Sequence, residues 1–344
     1  MADFFALLHS YTWLLLPTLA AFMWAMNNHI DKGMLSHFFK DDGGIGGLII
    51  VSAIASIIAT PFLWYMDKSV FATFSLSDPN DFIEFIRYRS SGDAMPAEVD
   101  VKGVMSYLIA ITSMFDILVL WCYLKALQKD EPTQVIIYYQ LVPLFGVLAG
   151  WLLLGETISS AQGMAMTVIL IGTTMMTFGL VKGKVSFQWN TFIFMVPAAA
   201  IWALELAVFK FAALEVNEWH ALFWKHIALA LVGVTLFIIV PSYRKSFLFV
   251  MKSNSAAVLG LNLFNEATYM VGTISVAVAV MPQDVAIVLV PETFQPIFVF
   301  ALAALLVKFL PKYAPEDFDL SHTIKKMAAI AVTLCGTYLL ILST

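Results

Sequence analysis

Polar positions along the chain come in brief clusters, and long apolar stretches run between them. Ten such stretches fall near residues 13–31, 45–66, 103–124, 133–154, 160–181, 191–212, 219–241, 256–280, 285–307 and 323–342. A helix rises about 1.5 Å per residue, so stretches of this length can cross a hydrocarbon core roughly 30 Å thick. The pattern predicts an all-α integral membrane protein of ten transmembrane helices. Most linkers are short. The exception is a polar insert over residues 67–102, where Ser77-Asp78-Pro79-Asn80 precedes Phe82, Ile83 and Ile86 interleaved with Glu84, Arg87 and Arg89. Asp78 is placed to cap a short amphipathic helix on the headgroups, within an insert read as a solvated tether in preference to a gating lid. In the fourth stretch, Tyr138-Tyr139-Gln140-Leu141-Val142-Pro143-Leu144-Phe145 puts a proline in mid-span. Proline removes a backbone donor and crowds the preceding turn, so a kink is expected at Pro143.

Composition agrees with burial in lipid. Hydrophobic residues make up 60% of the chain and charged ones 12%, with a mean hydropathy of +0.85; soluble domains are about a quarter charged. The formal charge of -5 is scattered and forms no basic stripe for nucleic acid. Cys122 and Cys335 both lie in apolar runs and offer neither a disulfide framework nor a thiolate metal site. His9, His29, His37, His220, His226 and His322 are dispersed, and are read as packing or interfacial groups rather than ligands. No HExxH, nucleophile–base–orienter set or nucleotide-binding glycine loop is present, so no catalytic residue, metal or cofactor is expected, nor ATP as direct energy source. Asp3, not a basic n-region, precedes the first run, which is read as an uncleaved span. Lysine and arginine crowd the linkers after odd-numbered spans, which by the positive-inside rule puts both termini outside the cytoplasm.

An internal repeat organises the spans. Trp24-Ala25-Met26 followed by Lys32 recurs as Trp202-Ala203-Leu204 followed by Lys210, with tryptophan and lysine eight residues apart in both. Gln140-Leu141-Val142-Pro143-Leu144-Phe145 has a looser echo in Thr293-Phe294-Gln295-Pro296-Ile297-Phe298. The expected units are residues 1–184, containing the insert, and residues 185–344. Each holds five spans. Because five is odd, the second unit enters the membrane from the opposite side, giving two inverted five-helix repeats.

The repeat also predicts where polar groups meet. Laying Pro143 on Pro296 places Thr112, Ser113 and Asp116 on Asn265, Glu266 and Tyr269. Both triplets have i, i+1, i+4 spacing and form one stripe along a helix. A charged side chain at mid-bilayer costs at least about 2.5–3.5 kcal/mol, so the stripes are expected to face a shared wet cavity. The residues expected to line it and bind substrate are Trp24, Asn28, Asp116, Tyr139, Gln140, Trp202, Glu205, Asn265, Glu266, Tyr269 and Glu292. Lys32, Lys125, Lys210 and Lys225 fall toward span ends, where long side chains snorkel. An acidic cavity edged with aromatic rings favours a cationic or zwitterionic amine such as an amino acid or polyamine. A buried carboxyl can also carry a coupling proton, and Glu266 is the first candidate. Pro143, Pro291 and Pro296 are candidate hinges.

Pro143, the small apolar run after it, Leu154-Gly155-Glu156, and then Ser159, Gln162 and Gly163 closely resemble the signature of the EamA-type transporters of the drug/metabolite transporter superfamily. Ala126-Leu127 and Gly172 also fit. The resemblance is strong over residues 103–180 and weaker over 283–342, where Lys308-Phe309-Leu310-Pro311 stands in place of Gly155-Glu156. The expected function is secondary-active transport of a small metabolite or drug-like solute by alternating access, proton-coupled, with export rather than import as the direction. A membrane receptor or scaffold without flux, or an intramembrane enzyme, is the rival class. The expected partners are the small-molecule substrate, protons and the lipid bilayer, in a monomer or homodimer in the bacterial inner membrane. The family-motif residues are Pro143, Gly155 and Glu156; Glu156, at a helix end, is expected to brace a short loop.

Overall fold

The structure is a computed structural model that describes residues 12–40, 43–71, 78–91, 96, 98–157, 159–181, 184–309 and 320–343. His9, Ser77, Leu310 and Pro311 lie outside the described residues, as does the side chain of His322. Helix α1 spans Thr12–His37. Helix α2, Gly44–Ala55, passes through a 3-10 turn at Ser56–Ala59 into α3, Thr60–Met66. The insert contributes α4, Pro79–Ser91, and α5 follows over Val101–Lys129. Helix α6, Pro132–Ile136, continues through a 3-10 turn at Ile137–Leu141 into α7, Val142–Leu154. After α8, Ser160–Thr177, a short antiparallel hairpin pairs β1, Phe178–Val181, with β2, Lys184–Phe187. Then come α9, Trp189–Val216, α10, Glu218–Ile239, and α11, Pro241–Val280. Helix α12, Val285–Leu289, joins α13, Gln295–Phe309, through a 3-10 turn at Pro291–Phe294, and α14 covers Leu320–Leu342.

Among the described residues, seven helical stretches are long and apolar enough to cross a membrane, and two shorter apolar helices cover Ser160–Gly172 and Lys326–Leu339. This is a multi-pass integral membrane protein. Large apolar side chains such as Met114, Trp151, Leu152, Leu231 and Ile238 are exposed on its outer surface, where lipid tails rather than water are the solvent.

The expected kink at Pro143 takes another form. Pro143 stands in the first turn of α7, where a missing N–H costs no intrahelical bond, and the chain breaks one turn earlier as a 3-10 segment. The same arrangement recurs at Pro291–Phe294 ahead of Gln295 and Pro296. Helix α7 stops at Gly155, whose φ of 71° is left-handed and natural for glycine. Helix α11 is 40 residues long and breaks at Asn254, so a further helical segment from Pro241 precedes the span read as 256–280.

The insert is also more than a tether. Asp78 Oδ1 accepts the Asn80 N–H at 2.9 Å at the start of α4, and Phe85 is buried with its ring 6.0 Å from that of Phe211 on α9. Phe85 thus anchors α4 on α9, while Ile83 and Ile86 stay exposed.

Packing between helices follows a repeated scheme. Helix α9 packs on α5 and α7, while α1 packs on α11 and α13; α10 lies on α5, and α2 on α11. Helix α2 also meets α10, and α8 meets α14. The last crossing is very close. A Cβ at Gly172 would come within 2.3 Å of Thr333 Oγ1, and one at Gly336 within 2.7 Å of the Ile169 backbone nitrogen.

Candidate functional site

One face of α1 carries Trp24, Asn27, Asn28 and Asp31, all buried although three of them are polar. Their spacing puts them on one stripe, and α11 supplies the matching groups. Asn27 Nδ2 donates to the Asn265 carbonyl and to Asn265 Oδ1, each at 2.6 Å, and to Thr268 Oγ1 at 3.1 Å. Asn265 Nδ2 in turn donates to Asp31 Oδ1 at 2.8 Å. The Tyr123 hydroxyl donates to Asn28 Oδ1 at 2.9 Å and also hydrogen-bonds Asp31. One turn along α11, Asn262 Nδ2 donates to Ser52 Oγ at 3.0 Å, and Ser52 hydrogen-bonds Glu266. Amides and hydroxyls thus hold Asp31 and Glu266 on one wall.

The opposite wall is built around a cation. Lys225 Nζ on α10 is 2.9 Å from Asp116 Oδ2 on α5 and 2.7 Å from Glu205 Oε1 on α9, and it stands over the Phe209 ring at 5.6 Å. Ser113 Oγ donates to the Lys225 carbonyl at 2.9 Å and fixes the backbone of that turn. The ammonium and both carboxylates are buried together, which is what makes their burial tolerable.

Aromatic rings join the two walls. Trp24 and Trp202, the tryptophans of the repeated motif, meet edge to face with centroids 5.1 Å apart. Tyr139 packs on Trp202 at 4.9 Å, Tyr269 lies 6.3 Å from Trp24, and Tyr123 stacks on Tyr139 at 6.3 Å. Gly272 leaves the room Trp24 needs, since a Cβ there would sit 2.5 Å from its indole nitrogen.

These groups line a half-open cavity of about 140 Å³. Trp24, Asn28, Asp116, Tyr139, Trp202, Asn265, Glu266 and Tyr269 line it, together with Asn27, Asp31, Ser52, Ser56, Tyr123 and Gln295. Three expected residues do not. Glu205 stands behind Asp116 across Lys225, while Gln140 and Glu292 are buried off the cavity, and both Glu292 carboxylate oxygens lack a hydrogen-bond partner among the described residues.

The comparisons with known proteins bear on the half of the chain that supplies Trp24, Asp31 and Asp116. Residues 11–178 match the sequence profile of the EamA-like transporter family. This first half of the chain belongs to that family. No curated protein matches. Among solved structures, one described only as a crystal structure of a protein is similar at 14% identity and a TM-score of 0.49, covering 96% of this chain and 97% of that one.

The motif residues of the matched stretch form a brace. Gly155 turns the chain so that Glu156 folds back, accepting from Lys210 Nζ at 2.8 Å and from the Val285 N–H at 3.2 Å. Glu156 thereby ties the end of α7 to α9 and to the start of α12. Lys210 also donates to the Gln283 carbonyl at 2.7 Å, while Lys32 donates to the Leu127 and Asp130 carbonyls at 2.7 and 2.9 Å. In the register that lays Pro143 on Pro296, Asp130 falls on Gln283, so the two motif lysines hold equivalent backbone positions.

Lys210 and Lys225 correct the expectation that lysines near span ends snorkel. Both are buried, Lys210 on Glu156 and the Gln283 carbonyl, Lys225 on Asp116 and Glu205. Asp31 and Tyr123 were missed as cavity residues. For Asp31 the signal was present, three residues beyond Asn28 on the stripe that begins at Trp24. Tyr123 carried none, since nothing in an apolar run marks which tyrosine points inward.

Proposed function

We propose that the protein is a secondary-active carrier that moves a small cationic or zwitterionic amine by alternating access of two inverted five-helix halves, residues 1–184 and 185–344. The observation that carries this reading is the cavity itself. Asp31 and Glu266 face it from one wall with only neutral donors around them, and rings of Trp24, Trp202, Tyr139 and Tyr269 stand beside them. Carboxylates held by neutral groups can exchange one positive partner for another, an ammonium for a proton. Aromatic faces add about 0.5–2 kcal/mol each to a desolvated cation. Inversion is supported by the repeated packing scheme, by the meeting of Trp24 with Trp202, and by the matched contacts of Lys32 and Lys210. The 3-10 turns at Ile137–Leu141 and Pro291–Phe294 pack on each other and serve as the flex points.

Glu266 carries the coupling proton in this scheme, because the hydroxyl of Ser52 can donate to its charged form or accept from its neutral one. Purified protein in vesicles with an imposed pH gradient tests both parts. Radiolabelled amine should accumulate in wild-type vesicles, and E266Q should abolish the dependence on the gradient. Accumulation by E266Q that still follows the gradient removes Glu266 from the scheme; no amine flux in any vesicle overturns the carrier.

A further inference from the structure

The cavity has two acidic walls, and only one of them is open to a ligand. Asp31 and Glu266 are held by an amide and hydroxyls. Asp116 instead shares with Glu205 the ammonium of Lys225, at 2.9 and 2.7 Å. That wall already holds a cation, and the protein supplies it.

We propose that Lys225 sets the charge selectivity of the cavity, occupying the Asp116 wall as a built-in cation so that the protein accepts ligands with one positive charge and rejects dications. The proposal rests on the amine reading above and narrows it, removing di- and polyamines from the substrate class. Two carboxylates remain on the open wall, enough for one ammonium and one proton. A second ammonium would have to displace Lys225 from two buried carboxylates, or sit against its charge. Either loses more than a hydrogen bond to a charged group returns. Lys225 acts here through Asp116, which is the member of the trio that faces the cavity.

The test compares butylamine with 1,4-diaminobutane by calorimetric titration of the purified full-length protein. Wild type should bind butylamine about tenfold more tightly than the diamine or better, and a wild-type preference for the diamine overturns the proposal. K225Q opens the wall but leaves two buried carboxylates without a cation, and it is at risk of misfolding. The double variant K225Q/E205Q removes one charge of each sign, so the wall keeps its net charge while Asp116, with 12% of its side chain exposed, becomes available to a ligand. In that variant the preference should move toward the diamine by about tenfold or more, and K225R should keep the wild-type preference. An unchanged preference in K225Q/E205Q overturns the role of Lys225. Diamine binding by the double variant where wild type binds neither amine supports that role and overturns the amine reading of the wild-type cavity. No amine binding by either protein overturns both.

Discussion

A carboxylate inside a bilayer is tolerable when something donates to it, and the donors here differ in kind from one acid to the next. Asp116 and Glu205 have an ammonium; Asp31 has the Asn265 amide and the Tyr123 hydroxyl; Glu266 has the Ser52 hydroxyl. The first pair is satisfied internally and the other two are poised for a partner. Replacing Asp31 with Asn should therefore weaken amine binding by roughly 10- to 150-fold, the range that a lost charge-assisted hydrogen bond of about 1.5–3 kcal/mol implies. Calorimetric titration with butylamine measures it, and a change under threefold would place the ammonium elsewhere. At this scale the sequence was legible wherever a polar residue interrupted an apolar face, as at Asn28, Asp116, Asn265 and Glu266. It was silent on pairing. Lys225 and Glu205 lie twenty residues apart on different helices, and nothing local marks them as partners.

Among elements, the close crossing of α8 and α14 depends on Gly172 and Gly336, where helix backbones approach without side chains between them. A leucine at Gly336 would meet the Ile169 nitrogen and the Ala165 carbonyl, neither of which can yield without moving the helix. G336L should lower stability by about 1–3 kcal/mol, read as a lower melting temperature in detergent. The end of α3 offers a second test. Asp67 is partly buried, which alone would raise its carboxyl, but the Ser69 N–H and hydroxyl at 2.9 and 2.6 Å and the Asn217 amide at 3.1 Å outweigh burial and hold it below its ordinary value of 3.8. A carboxyl depressed by folding stabilises the protein above its unfolded value and stops doing so as pH falls through the folded one. Wild type should thus melt above D67N at neutral pH, with the gap closing below pH 3.8. Of the ten expected spans, seven correspond to described helices long and apolar enough to cross a membrane, and these were plain from hydropathy, since length and apolarity are both local. The 3-10 turns were not, because Pro143 reports that a break is near but not on which side of it the backbone gives way.

On the scale of the whole molecule, the matched contacts of Lys32 with Asp130 and Lys210 with Gln283 make a statement about sidedness. If the halves are inverted, the end of α5 and the end of α11 open to opposite compartments. Cysteines placed at the equivalent exposed positions, Lys129→Cys and Pro282→Cys in a Cys122→Ser, Cys335→Ser background, should react with a membrane-impermeant thiol reagent from opposite sides. Labelling of both from one side would mean the halves run in the same sense. The kinship of Trp24 and Trp202, whose rings meet in the cavity, was legible because tryptophan and lysine keep one spacing in both motifs. The wider cavity was less so, since its walls are assembled from helices that only the folded chain brings together.

The Glu156 brace has no glutamate to match it at Phe309, the position that falls on Glu156 when Pro143 is laid on Pro296. The start of α6 is fastened by a different ion pair, Lys326 on Glu131, and the end of α5 by the contacts of Lys32 with the Leu127 and Asp130 carbonyls. Unlike fastenings mean that the two ends need not yield to the same substitution.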